Sequence, residues 1–252
     1  MAVVTTGFFD GVHLGHRHLL ETVVSSARER GEEAVVVTFW PHPRMVLQQD
    51  ARELRLLSTL EEKKALLLEA GIDRVEVLRF TREFAAMPAR EYLGMLRDRY
   101  GASLVVMGYD NRIGSDQRTF SDLASAPSLC HIERAKRVGR ISSTQIRKAL
   151  MEGDIELANA MLGYDYGLHG VVVAGNQLGR TIGFPTANMK LYEPLKLVPA
   201  RGVYAVDVQV LGRRYQGMCN IGVRPTVGAA NGLTVETNIF DFDEDIYGLD
   251  IT

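Results

Sequence analysis

Cysteine is scarce in this chain: its 252 residues include two, Cys130 and Cys219. They lie far apart and fit no metal-ligand spacing, so they read as buried or free thiols of a reducing compartment. A surplus of charge is also missing. The formal net charge is −2, which gives no overall basic field for nucleic acid and no polybasic run for an anionic bilayer. The longest apolar runs are strand-sized, such as Ala34 to Trp40, and too short to cross a membrane. No charged segment followed by a long apolar stretch opens the chain, so no secretory leader is expected and the expected location is cytoplasmic. Internal repeats and low-complexity segments are absent, and nothing indicates an oligomer.

What the chain has is a change of character near residue 164. Its length is generous for one domain and comfortable for two. Up to that point strand and helix patterns alternate. Strands are predicted at 2–6, 34–39, 74–79, 103–108 and 129–134, with helices at about 16–30, 59–71, 89–100 and 118–125. Ser58 to Glu62 offers a capping box, Pro88 suits the first turn of the third helix, and Gly101 suits its C-terminal cap. Two shorter helices follow at about 143–152 and 154–162, separated by Gly153-Asp154. The alternation predicts an α/β domain over 1–164: a doubly wound parallel sheet that takes its ligand at the carboxyl ends of the strands. From Tyr166 onward no helical period is visible. Runs such as Leu168 to Ala174, Val203 to Val210 and Thr234 to Phe242 predict a small antiparallel β-barrel over 165–252.

The most pointed segment is Gly7-Phe8-Phe9-Asp10-Gly11-Val12-His13-Leu14-Gly15-His16, between the first strand and the first helix. N–H groups at a helix start have no intrahelical partner and the helix dipole is positive there, so a phosphate chain is favoured. Gly7, Gly11 and Gly15 permit close backbone approach. His13 and His16 supply donors that can follow charge developing on a reacting phosphate. Alone, two histidines in a turn would bind nothing; here the glycines, Asp10 and the strand-to-helix position agree. A second segment, Arg140 to Arg147, has Ser142 or Ser143 as a natural N-cap with Thr144 beside them. One turn on, Arg147 carries a guanidinium fork suited to phosphate oxygens. Arg134, Lys136, Arg137 and Arg140 form a local basic cluster suited to small anions. Pro41-His42-Pro43 makes a rigid turn after the second strand. Gly108 to Gly114 ends the fourth strand and offers Asp110 as an acceptor.

These segments carry a resemblance. The first resembles the HxGH signature of the nucleotidylyltransferase superfamily, and its Phe-Asp-Gly is similar to the FAD synthetase branch. Residues 140–147 resemble the superfamily's second signature, Ser/Thr-x-x-Ile-Arg. Pro41-His42-Pro43 is similar to a turn that FAD synthetases carry near the flavin. Residues 108–114 resemble a Gly-x-Asp/Asn-Phe-x-Phe-Gly segment in which Asn111 and Ile113 replace the two aromatic rings.

In the second half, Gly179-Arg180-Thr181-Ile182-Gly183-Phe184-Pro185-Thr186-Ala187-Asn188 is the strongest signal. Thr186 and Asn188 are two residues apart, so in an extended segment they face one side. Small oxygen ligands suit Mg2+. The segment resembles the Gly-x-Pro-Thr-Ala-Asn signature of riboflavin kinases, with Gly183, Pro185, Thr186 and Asn188 on its positions and Gly179 upstream. Gly202 to Ala205, Asn220 to Thr226, Val235 to Thr237, Asp241 to Asp243 and Asp245 to Gly248 are similar to later segments of that family, in order. The resemblance implies Glu236 as the general base, with Asn238 where a histidine is usual. The acidic run Asp241, Asp243, Glu244, Asp245 lacks EF-hand spacing and reads as a solvated turn.

Taken together, the chain resembles bacterial bifunctional riboflavin kinase/FAD synthetases. The resemblance implies that ATP phosphorylates riboflavin to FMN in the barrel. FMN then attacks the α-phosphate of a second ATP in the first domain, giving FAD and pyrophosphate. It places His13 and His16 on the phosphates, Arg147 toward the leaving pyrophosphate, and Mg2+ at Thr186 and Asn188. Gly7, Phe8, Asp10, Gly11, Gly15, Pro41, Pro43, Asp110 and Ser142 to Thr144 surround nucleotide and flavin. The partners implied are these small molecules, with no nucleic acid and no membrane. Two other readings remain. An adenylyltransferase for another phosphate acceptor is opposed by Pro185 to Asn188, and a non-catalytic flavin-binding regulator by His13, His16, Arg147 and Glu236. The chain stops at Thr252 as a further strand begins, short of the family's length. The expectation is an open barrel edge and weak or no riboflavin phosphorylation.

Overall fold

The computed structural model describes residues 1–47, 53–125, 130–136, 139, 141–175, 185–223 and 233–252. They divide into two compact units, Met1–Ser143 and Thr144–Thr252. In the first, strands β1 (Ala2–Thr6), β2 (Glu33–Trp40), β3 (Arg74–Arg79), β4 (Ala102–Met107) and β5 (His131–Arg134) form one parallel sheet in the order β3-β2-β1-β4-β5. The order reverses between β1 and β4, so the carboxyl end of β1 opens at the switch point where such sheets take ligands. Alternation along the strands explains the layers. Val3, Val36, Leu104 and Val106 meet Leu20, Val23 and Ala27 of α1 (Leu14–Arg30) and Leu67 of α3 (Leu60–Glu69) on one face. Val4, Val35, Val37 and Val105 meet Tyr92, Leu93 and Leu96 of α5 (Ala89–Tyr100) on the other. Strands buried on both faces must be apolar throughout, which is why they read as unbroken valine-rich runs.

Capping follows the sequence. Thr59 and Glu62 exchange both bonds of a capping box. Pro88 occupies the N-cap of α5, and Gly101 ends that helix at φ 67°. Two short helices, α2 (Pro43–Leu47) and α4 (Arg82–Ala85), were not expected; α6 (Phe120–Ala124) was. Gly114 is obligatory for packing, because a Cβ there would lie 2.1 Å from the Ala89 amide nitrogen.

In the second unit, α7 (Ser143–Glu152, whose first residue belongs to the first unit) and α8 (Ile155–Leu162) precede the strands. Asp154 caps α8 through the Leu157 N–H. The compact-unit boundary thus falls ahead of the change in sequence character. Strands β6 (Gly170–Val173), β7 (Ala187–Leu191), β8 (Gly202–Val210), β9 (Arg213–Val223), β10 (Leu233–Ile239) and β11 (Asp250–Ile251) form one antiparallel sheet in the order β11-β6-β7-β10-β9-β8. The sheet curls until its two ends meet, where Gln209 and Thr252 exchange backbone hydrogen bonds of 2.8 and 3.1 Å. Val172, Val208, Ile239 and Ile251 fill one part of the interior, and Cys219, Ile221 and Val235 another. Both cysteines are free and buried.

Candidate active site

The loop after β1 is held in a costly conformation. Phe9 (φ 53°) and Val12 (φ 38°) lie in the left-handed region, as does Gly11 (φ 78°). For a β-branched residue such as Val12 this is a genuine outlier, costing about 1–3 kcal/mol. Burial of Phe9 and Val12 in the α1-side core helps hold the turn. So does Asp10, whose carboxylate accepts from the Leu57 N–H at 3.0 Å, the Ser58 N–H at 3.1 Å and the Ser58 hydroxyl at 3.4 Å. The Gly11 N–H donates to the Ser58 hydroxyl oxygen at 3.0 Å. The Phe8 carbonyl accepts from Thr38 Oγ1 at 3.1 Å and from Lys63 Nζ at 2.8 Å.

His13 caps α1 through its ring: Nδ1 accepts from the His16 N–H at 3.3 Å. An accepting Nδ1 puts the proton of neutral His13 on Nε2, which becomes a donor. Gly15 makes this possible, because a Cβ there would stand 3.1 Å from the His13 ring. The His13 and His16 rings stack at 3.7 Å and 16°. Burial, then the neighbouring His13, then the charge of Lys63 hold the His16 imidazole well below its usual proton affinity. His16 is therefore neutral at pH 7. Its Nδ1 is buried with no hydrogen-bond partner among the described residues. A buried polar atom left open in this way suits a polar group of a bound molecule.

The serine-rich segment adjoins this loop. Ser143 Oγ donates to the Asp10 carbonyl at 3.0 Å, and a Cβ on Gly15 would come 3.5 Å from the Ile141 carbonyl oxygen. Ser142 directly precedes α7, Thr144 is exposed, and Arg147 stands one turn along it, partly buried. The turn after β2 also reaches the loop. The His42 ring lies 4.2 Å from the Phe8 ring, and its Nδ1 accepts from the N–H of Arg44 in α2, which Pro43 opens. Asp110 is exposed in the turn after β4. Asn111 and Ile113, the two departures from the aromatic pattern, have structural partners. Asn111 Nδ2 donates to the Thr6 carbonyl at 3.3 Å, and Ile113 is buried in the α5-side core. Arg137 and Arg140 lie outside the described residues. Sequence reasoning missed Ser58, Thr38 and Lys63. For Lys63 the one available signal is its place on the buried stripe of α3, one turn before Leu67.

In the barrel, Glu236 of β10 stands opposite Asn188 of β7 and Asn220 of β9. Directly opposed residues share a face. Their neighbours Val235 and Thr237 are buried on the other side. A Cβ on Gly175 would come 2.3 Å from Asn188 Nδ2, so glycine there leaves room for the Asn188 side chain. Asn238, two residues after Glu236, donates through Nδ2 to the Pro185 carbonyl at 2.8 Å. It thereby ties β10 to Pro185, just before β7. A cavity of about 260 Å³ is lined by Pro185, Thr186, Thr237, Phe242, Asp243 and Tyr247, among others. Asp241, Asp243, Glu244 and Asp245 are exposed. Gly179, Gly183 and residues 224–226 lie outside the described residues.

Comparison with known proteins gives both halves relatives. Residues 1–146 match the family described as FAD synthetase, and residues 162–252 match riboflavin kinase. A Bacillus subtilis protein named bifunctional riboflavin kinase/FMN adenylyltransferase is 36% identical over 98% of this chain and 80% of its own. Proteins of the same name from Listeria monocytogenes and Escherichia coli are 37% and 36% identical, each over 98% of this chain and 80% of their own. A crystal structure described as a macrolide-efflux protein from Streptococcus pneumoniae superposes with a TM-score of 0.89 at 34% identity, over 99% of this chain and 83% of that one. Efflux is said of that protein; among the described residues here, no helix is long and apolar enough to cross a membrane. With one family matched over its α/β half, the other over its barrel, and such relatives along nearly its whole length, this chain belongs to the bifunctional riboflavin kinase/FMN adenylyltransferases.

Proposed function

We propose that the loop from Gly7 to His16, with the segment from Ser142 to Arg147, carries adenylyl transfer, and that the face of β7 and β10 bearing Asn188 and Glu236 carries phosphorylation. The chain is a riboflavin kinase and an FMN adenylyltransferase: ATP converts riboflavin to FMN, and a second ATP converts FMN to FAD with release of pyrophosphate. The observation that carries the first assignment is the bond from Ser143 Oγ to the Asp10 carbonyl, which brings the two nucleotide-loop segments together. Had they lain apart, they would not share one nucleotide.

In the adenylyl step the His13 Nε2–H and the helix N–H groups stabilise the phosphates, neutral His16 presents its open Nδ1, and Arg147 takes the leaving pyrophosphate side. Phe8 and the Pro41–Pro43 turn face the flavin, with Asp110 as an acceptor at the end of β4. Asp10 serves the nucleotide indirectly, by fixing the loop. In the kinase step Glu236 accepts the proton of the riboflavin 5′-hydroxyl as that oxygen attacks the γ-phosphate. The hydroxyl of Thr186 and the amide oxygen of Asn188 are hard oxygen donors, and fit Mg2+. When bound, the ion neutralises charge on the ATP phosphates. We assign residues 1–164 to the adenylyl-transfer domain and 165–252 to the kinase domain. Two free buried cysteines fit a reducing, cytoplasmic setting. The test is incubation with riboflavin, ATP and Mg2+ followed by separation of the flavins. Appearance of FMN and then FAD supports the assignment, and His16→Ala then stops the chain at FMN. Undiminished FAD formation by His16→Ala refutes it.

A further inference from the structure

Lys63 is a lysine where a solvated charge would be ordinary, yet its side chain is 0% exposed. Taking an ammonium out of water is unfavourable unless local groups compensate it. Here the compensation comes from groups around the nucleotide loop. Nζ donates to the Phe8 carbonyl at 2.8 Å and to Thr38 Oγ1 at 3.4 Å. It lies 3.5 Å from the centroid of the Phe8 ring and 5.8 Å from that of Trp40. The Phe8 ring in turn meets His42. One buried cation therefore touches the first loop through backbone and ring, and through that ring reaches the turn after β2.

We propose that Lys63 is a positioning residue for adenylyl transfer: its buried ammonium clamps the carbonyl and ring of Phe8, so that the strained Phe9–Val12 turn presents His13 and His16 in one arrangement. The inference rests on the reading of this loop as the adenylyl-transfer site. The clamp acts just before the first left-handed residue, Phe9, where the chain has most to gain by relaxing. Its charge also reaches the chemistry, since the Lys63 ammonium adds to burial and to the neighbouring His13 in holding His16 neutral. Two titratable groups face it from other elements: Asp10 of the loop, which favours its charged form, and His16 of α1. Burial outweighs Asp10 and pulls its proton affinity down to about 8. The clamp thus loses its charge as pH rises through that value, while His16 stays neutral.

The test compares the unsubstituted chain with Lys63→Met, Lys63→Arg and His16→Ala in FMN-to-FAD conversion on either side of pH 8. Circular dichroism and thermal unfolding report the fold. The unsubstituted chain is expected to lose kcat on the alkaline side. Lys63→Met is expected to lower kcat about 100-fold with little change in KM for ATP, as misplacement of reacting groups does, and to show no alkaline limb. In ring 15N spectra, Lys63→Met should titrate His16 at higher pH than the unsubstituted chain. If Lys63→Met does not fold, Lys63→Arg carries the test, because it keeps a charge that does not titrate and should move the alkaline limb upward. A folded Lys63→Met chain with unsubstituted rate and pH profile overturns the proposal, as does a Lys63→Arg profile that keeps its limb near pH 8. If the unsubstituted chain makes no FAD, or His16→Ala makes it at full rate, the reading of the site itself has failed, and that outcome is distinguishable from a failure of the clamp alone.

Discussion

His13 and His16 divide their work by environment. His13 spends Nδ1 on capping its own helix and keeps Nε2 as a donor; His16 is neutral and keeps a buried Nδ1 open. Removing one such group from a phosphate site costs roughly 100- to 1000-fold. His16→Ala should therefore lose that much FMN adenylylation while riboflavin phosphorylation is unchanged, measured by separating the flavins. Neutrality also has a stability sign. The folded His16 binds its proton less readily than the unfolded one, so the unfolded chain holds more protons between the depressed value and 6.5. Stability contributed by neutral His16 is complete above 6.5 and is lost as pH falls toward the folded value. His16→Asn should blunt this acid sensitivity in unfolding curves taken below pH 6.5. At Gly15 two effects oppose each other. An alanine gains about 1 kcal/mol of helix propensity, but its Cβ displaces the His13 ring and weakens a cap of about 1 kcal/mol. Gly15→Ala should leave the unfolding midpoint nearly unmoved and still depress FAD formation, so equal losses in both would argue against the ring's role.

At the scale of elements, the loop from Gly7 to His16 is fastened through Asp10, which the sequence reading places near the nucleotide and flavin. Asp10 accepts from two backbone N–H groups just ahead of α3, and each, left buried without a partner, costs roughly 1–3 kcal/mol. Asp10→Ala should lower unfolding free energy by about 3 kcal/mol in urea titrations, and Asp10→Asn by less, because one accepting oxygen remains. This fastening was not legible beforehand, since Asp10 and Ser58 lie 48 positions apart and no periodicity connects them. Regular elements were legible because burial writes itself into spacing: two-faced valine runs for β1, β2 and β4, and apolar stripes for α1 and α5. The short α2 and α4 run 5 and 4 residues, too few for a helical period to show. Lys63 was hidden for a chemical reason. A lysine on a short helix ordinarily faces water, and the Phe8 carbonyl and the Thr38 hydroxyl, distant in sequence, help make its burial tolerable. In the barrel the motif was legible but its wiring was not. Asn238, read as a departure at a histidine position, holds the carbonyl of Pro185, the residue before Thr186.

For the whole molecule, the residues assigned to the kinase step lie in the second unit, and those that form the nucleotide loop lie in the first. Glu236 and Asn188 face each other across β10 and β7, while His13, His16, Asp10 and Ser143 are joined around the end of β1. Glu236 and the histidine pair belong to different units, so each step should fail alone. Glu236→Ala should abolish FMN formation from riboflavin yet convert supplied FMN to FAD at the unsubstituted rate, and His16→Ala should do the reverse. The two variants mixed in one tube then decide how FMN travels. If FMN is released to solvent, FMN made by the His16→Ala chain is taken up by the Glu236→Ala chain, and FAD appears from riboflavin. The rate should rise with the concentration of the second variant until phosphorylation limits it. FMN accumulating without FAD in that mixture, while each variant performs its own step, would mean that the product of one unit reaches only the other unit of the same chain.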